Sequence, residues 1–132
     1  MLILTDPVMA ELAAVNAKVN ELPYVADPTR WGADEFWAEI DAQGGDCEDF
    51  SIAKRNRLLA LGFPAKALRL ATCQTETGEA HAVLTVDTDQ GTLVLDNRFP
   101  AVLPFERLTA LGYRWISRQA ADGGRGWVKI NA

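Results

Sequence analysis

The chain has 132 residues, 48% of them hydrophobic, and a formal net charge of −5. That length and apolar content suit one compact domain over 1–132. The acidic balance argues against a nucleic-acid binder, whose footprint is a basic face, and no apolar run reaches the roughly 18–20 residues of a membrane span.

The first residues, Met1-Leu2-Ile3-Leu4-Thr5-Asp6, have no basic region and too short an apolar run for a signal peptide. The chain as given therefore reads as cytoplasmic, and as periplasmic if a longer precursor has been trimmed. Thr5-Asp6-Pro7 opens a helix with a polar cap and a proline at the first helical position. Val8, Leu12, Val15, Val19 and Leu22 then follow the spacing of one helical face, and Pro23 ends it. A second, short helix is expected from Ala33 to Ala42, with Phe36, Trp37 and Ile40 on its buried side. Gly44-Gly45 breaks it. Asp46 then reads as the cap of a third helix from Cys47 to Leu61, with Gly62 as its C′ residue.

The period changes in the second half. Leu68, Leu70 and Thr72 alternate with Ala67, Arg69 and Ala71, as in a strand. Ala80 to Val86 and Thr92 to Asp96 form a hairpin candidate around the turn residues Asp87 to Gly91. A short helix follows from Pro104 to Leu111. Two more strands, Tyr113–Ser117 and Trp127–Ile130, flank the loop at Asp122-Gly123-Gly124. Helices first and strands after is the α+β pattern, with a mostly antiparallel sheet.

One constellation carries chemistry. Cys47 falls in the first turn of a helix, where the dipole favours a thiolate. His81 is the sole histidine. A hairpin loop at Thr88-Asp89 pairs Asp87 with Gln90, and counting back sets His81 directly opposite Asp96. Asp96 then orients the imidazole and leaves its other nitrogen to a thiol, the nucleophile–base–orienter arrangement. Each residue also has an ordinary reading. A cysteine in a first turn is commonly a small buried apolar residue, and Asp96-Asn97 reads equally as a turn. Asp46 and Asp49 read as a helix cap and capping box. Spacing leaves both open. Zinc is disfavoured, because Cys47, Cys73 and His81 lack paired ligand spacing, and no glycine-rich phosphate loop follows a strand. Cys73, on a strand beside Thr72, is expected to be an inert thiol.

The acidic flank of Cys47 is unusual, since Asp46, Glu48 and Asp49 all oppose a thiolate. The stretches "GGDCEDFSIAKRNRLLALGFPAKALRL", "GEAHAVLTVDTDQGTLVLDNR" and "YRWISRQ" resemble the bacterial transglutaminase-like cysteine peptidases. The best-known members are calcium-dependent periplasmic proteases that cut surface adhesins. The resemblance covers about Val15 to Ile130 and implies a papain-like, transglutaminase-like fold. It implies Cys47 as nucleophile, His81 as base and Asp96 as orienter, acting on a protein or peptide substrate. It also implies calcium bound by Asp46 and Glu48, with Asp49 weaker; Asp27 and Asp34 are nominated as further contributors only by their place in the preceding loop. A divalent cation converts the acidic flank from a penalty on the thiolate into a neutral field. Gln43 is a candidate oxyanion donor beside the Cys47 N–H. The missing leader and the short stretch between Trp37 and Gly44 depart from secreted members, so a cytosolic or phage-encoded relative with another substrate fits as well. Transglutamination or deamidation by the same triad, or a non-catalytic binding domain of the same fold, are the alternatives.

Overall fold

The computed structural model describes residues 2–21 and 47–120, and the backbone of 127–129. The helix expected at 33–42 lies outside the described residues, as do Asp27, Asp34, Gln43 and Asp46.

Helix α1 spans Asp6–Asn20, and the Thr5 hydroxyl accepts the Val8 N–H at 3.3 Å. It buries Leu12, Val15 and Val19, as the spacing predicts. It also buries Asn16, which apolar periodicity does not mark. The Asn16 amide donates to the carbonyls of Phe99 and Pro100, and the Asn20 amide to those of Asp96 and Phe99, all at 3.1–3.2 Å. Two polar side chains one turn apart thus hold the segment after Asp96 against α1.

Helix α2 spans Cys47–Ala60. It ends in a Schellman motif: Gly62 N–H bonds the Leu59 carbonyl and Phe63 N–H the Leu58 carbonyl, both at 3.0 Å. Gly62 has φ +95°, which a side chain would resist.

The strands are β1 (Leu68–Gln74), β2 (Ala80–Thr88), β3 (Gly91–Leu95), β4 (Leu103–Pro104), β5 (Arg114–Gln119) and β6 (Trp127–Lys129). They pair antiparallel in the order β4-β3-β2-β1-β5-β6. One face carries Leu70, Leu84, Val86 and Leu95 against α1 and α2, meeting Leu12, Phe50 and Leu58. The other carries Ala71, Cys73, Val83 and Val94 against helix α3 (Phe105–Leu111) through Leu108. The sheet is therefore covered on both faces. Each wholly buried leucine contributes about 2 kcal/mol of transfer free energy.

The hairpin register differs from the expected one. Thr88 pairs with Gly91 and Asp87 with Thr92, so the loop is Asp89-Gln90. The Thr88 hydroxyl closes it, donating to the Gly91 carbonyl at 2.6 Å and accepting the Gln90 N–H at 3.1 Å. Gly91 takes φ +111°. The N-terminal segment also grips the tip, with Leu4 N–H on Asp89 Oδ1 at 2.8 Å. The ladder runs to Leu84–Leu95, so Asp96 follows on opposite Val83 rather than His81. The shift is two residues, an even number, so His81 and Asp96 keep one face and become diagonal neighbours.

A second irregularity aims side chains at that face. Thr72 pairs with Ser117, but Cys73 pairs with Trp115. Ile116 is the extra residue of this bulge and is left 46% exposed. Without it, Trp115 and the Tyr113 that precedes it by two would turn to the opposite face.

Candidate active site

His81 and Asp96 meet on the α3 side of the sheet. His81 Nε2 lies 2.8 Å from Asp96 Oδ1, with side-chain exposures of 7% and 1%. Asp96 Oδ1 also accepts the Arg98 N–H at 2.9 Å, and Oδ2 accepts the Tyr113 hydroxyl at 2.6 Å. Burial is the largest influence on this carboxyl and opposes its ionisation. The hydrogen bond and charge of His81, with the Tyr113 hydroxyl and the Arg98 N–H, outweigh it and hold the carboxyl below its ordinary value. An ionised carboxylate only accepts. In the neutral imidazole, Nε2 therefore carries the proton and Nδ1 keeps its lone pair.

The direction of the next bond is forced in the same way. Arg98 Nη1, a donor without a lone pair, lies 2.8 Å from Tyr113 Oη. The phenol oxygen accepts from Arg98 and sends its own proton to Asp96. Burial, then the bond to Asp96, raises the Tyr113 hydroxyl far above its ordinary value, so it stays a donor. Both terminal guanidinium nitrogens of Arg98, Nη1 and Nη2, donate to Glu76, at 2.7 and 2.9 Å. That bond holds the Glu76 carboxyl down to about 2.

Local folding delivers these groups. Asp96 is the residue after β3, and His81 is the second residue of β2. Tyr113 follows the α3 terminus, where Tyr113 N–H bonds the Leu108 carbonyl at 3.0 Å. The turn passes through Gly112 at φ +124°, where an added Cβ would meet the Glu76 Cβ at 3.0 Å. Only glycine fits both demands.

Cys47 is the first residue of α2 and is half-buried. The Ser51 hydroxyl bonds the Cys47 carbonyl at 2.8 Å. Helix α2 packs across β2, the strand of His81. Cys73 lies directly opposite His81 in the β1–β2 ladder. Its thiol is pushed up to about 12, first by burial, then by the charges of Asp96 and Cys47. The two cysteines are not bridged to each other. Cys73 is inert, as expected, although the fold brings it into the site. A polar cleft of about 370 Å³ opens at His81, between Thr75, Thr77, Glu79, Asn97 and Arg98.

A family model, described as bacterial transglutaminase-like cysteine proteinase, matches residues 1–132. The chain belongs to this family. Solved structures of Legionella pneumophila LapG are similar to it. The EGTA-treated form is 28% identical with a TM-score of 0.75, over 96% of this chain and 69% of that one. The calcium-bound form is 27% identical with a TM-score of 0.75, over 96% and 73%. A third LapG structure gives 27% and 0.72, over 92% and 68%. No curated protein sequence matches this chain.

The protein is thus a cysteine peptidase with an α+β, transglutaminase-like fold. Sequence reasoning named the peptidase's His81 and Asp96 but not Tyr113, Arg98 or Glu76. Arg98 and Tyr113 lay inside the quoted stretches, and a tyrosine directly after a helix-ending glycine was the one available signal. Of the acidic flank, Glu48 is half-buried and Asp49 is 1% exposed. No group of three or more His, Cys, Asp or Glu side chains converges as a metal site among the described residues. No helix among them is long and apolar enough to cross a membrane.

Proposed function

We propose that Cys47 is the nucleophile of this peptidase, His81 its base and Asp96 the group that orients His81. The observation that carries the reading is the 2.8 Å bond from His81 Nε2 to a buried, ionised Asp96, which leaves Nδ1 to the thiol. His81 Nδ1 takes the Cys47 proton as the sulfur attacks the carbonyl carbon of a peptide or amide bond. The oxyanion that forms is met by the Cys47 N–H at the start of α2, with Gln43 as the second donor. The imidazolium then gives its proton to the departing amine, and the C–N bond breaks. A thioester remains on Cys47. Water, deprotonated by His81, attacks it and releases the carboxylic acid and the thiol.

A protein or peptide substrate follows from the family. Amine transfer uses the same groups with an amine in place of water. Mass spectrometry distinguishes them: a peptide substrate with a fluorescent primary amine present yields either the acid or the amide adduct. Cys47→Ala should abolish both products. Turnover surviving in Cys47→Ala would overturn the assignment.

We infer calcium binding at the Cys47 flank from the calcium-bound relative and the acidic residues Asp46 and Glu48. Calcium takes six to eight oxygens. Among the described residues the nominated carboxylates are Glu48 and, more weakly, Asp49, and no cluster of three forms. The described residues do not by themselves make a calcium shell, and no step above runs through the ion.

A further inference from the structure

Arg98 follows Asp96 by two residues and meets its carboxylate by two routes. Its main-chain N–H bonds Asp96 Oδ1 at 2.9 Å. Its side chain reaches the other oxygen through Tyr113: Nη1 lies 2.8 Å from the phenol oxygen, and the phenol donates to Oδ2 at 2.6 Å. The guanidinium also lies over the Tyr113 ring, 5.6 Å from its centroid, and over the Phe99 ring at 5.4 Å. Glu76 holds its outer side through Nη1 and Nη2. Glu76 belongs to the turn between β1 and β2, which is closed by Thr75 N–H on the Glu79 carbonyl at 2.9 Å and Gly78 N–H on the Thr75 carbonyl at 2.8 Å. The ion pair is partly exposed, at 31% and 28%, and a pair so placed contributes little to stability. What it does is hold the guanidinium against a phenol that is 3% exposed. A phenol can donate or accept, whereas a guanidinium only donates.

We infer that Arg98 is a positioning residue for the peptidase reaction: its side chain commits the Tyr113 hydroxyl to Asp96, and Glu76 keeps that side chain in place. The inference rests on the assignment of Cys47 as nucleophile, His81 as base and Asp96 as its orienter. Arg98 acts on His81 only through Tyr113 and Asp96. With the phenol oxygen occupied by a donor, its proton points at Oδ2, and the carboxylate stays turned toward His81 Nε2. In a thiolate–imidazolium pair, the thiolate fraction of Cys47 follows the support that Asp96 gives the imidazolium. Loss of the guanidinium therefore reaches the sulfur, and only while Tyr113 is there to carry it.

The rate of Cys47 alkylation by iodoacetamide in the full chain, followed by mass spectrometry at fixed calcium, reads this without a peptide substrate. Arg98→Met removes the side-chain donors and keeps the main-chain N–H on Asp96. It should slow alkylation at pH 6 by about fivefold or more, and the loss should vanish near pH 10, where the thiol ionises without the imidazolium. In a Tyr113→Phe background the same substitution should cost less than about twofold at pH 6, because the guanidinium then has no phenol to act through. Buried Cys73 should stay unlabelled throughout, which reports an intact fold. A native rate in Arg98→Met, an equal loss at pH 6 and pH 10, or losses that multiply with Tyr113→Phe each overturn the proposal. If Arg98→Met does not fold, Glu76→Gln takes its place in the cycle, with the same expected pattern. Failure of both to fold assigns the ion pair a structural role and also overturns the proposal. His81→Ala tests the underlying assignment separately: a native alkylation rate at pH 6 there would remove His81 as the base, whatever Arg98 does.

Discussion

Tyr113 donates to Asp96 Oδ2 at 2.6 Å, while His81 meets the other oxygen of the same carboxylate at 2.8 Å. Each oxygen is thereby engaged, and the carboxylate plane cannot rotate without breaking a buried bond. Tyr113→Phe removes one donor and leaves Oδ2 buried and unsatisfied. That loss is worth about 1–3 kcal/mol. We expect kcat to fall by about tenfold or more with KM little changed. A Tyr113→Phe protein with native kcat would show that Arg98 N–H and His81 suffice to hold Asp96.

Asp96 also makes stability pH-dependent. Its folded value lies below the ordinary 3.8. The contribution is therefore present above about pH 4 and lost as pH falls through the lower folded value. Asp96→Asn should unfold more easily than the native protein at neutral pH, and the gap should shrink in acid. Urea titrations at pH 7 and pH 3 measure it. A gap that grows in acid contradicts the sign.

Lys54 acts in the other direction. Its folded value is about 7 against an ordinary 10.5. Below pH 7 both states hold the proton, and the folded state carries the full cost of burying it. Between about 7 and 10.5 the unfolded chain holds more protons, so stability rises with pH by an amount of the order of a few kcal/mol. The stability advantage of Lys54→Met over the native protein should narrow from pH 6 to pH 10. A constant difference across that range would place Lys54 in water.

Gly112 joins α3 to Tyr113 at φ +124°, against the Glu76 Cβ. Gly112→Ala should lower stability by about 1–3 kcal/mol through backbone strain and contact. Because it displaces Glu76, it should also loosen Arg98 and reduce kcat. Thermal melting and kinetics read the two effects separately, and a native melting point would mean that the turn relaxes.

Calcium is tested by its removal. EGTA should lower both the melting temperature and Cys47 labelling by iodoacetamide, and added calcium should restore them. Asp46→Asn or Glu48→Gln should abolish both responses. If EGTA changes neither quantity, the acidic flank caps α2 and holds no ion.

Several elements were legible from local pattern. Thr5 and Pro7 start α1, Gly62 ends α2, and the apolar stripe at Leu12, Val15 and Val19 is the buried one. These are decided within one or two helical turns, by capping and periodicity, which neighbouring residues carry. That His81 and Asp96 share a face was also legible, because strand parity survives any even change of register.

The rest was decided at a distance. The register moved by two because Thr88, Gly91 and the N-terminal segment at Leu4 settle the turn together, and Leu4 is remote in sequence. Tyr113 reaches Asp96 only because the bulge at Ile116 reverses the parity of β5, and a bulge leaves no periodic trace. Lys54 opens the short basic stretch Lys54-Arg55-Asn56-Arg57, yet it is wholly buried because α2 is covered by both the sheet and α1. Helix starts, helix ends and side-chain parity are short-range properties, and the sequence alone determined them. Which groups share a buried carboxylate depends on long-range packing in a medium without water, and only the tertiary structure decided it.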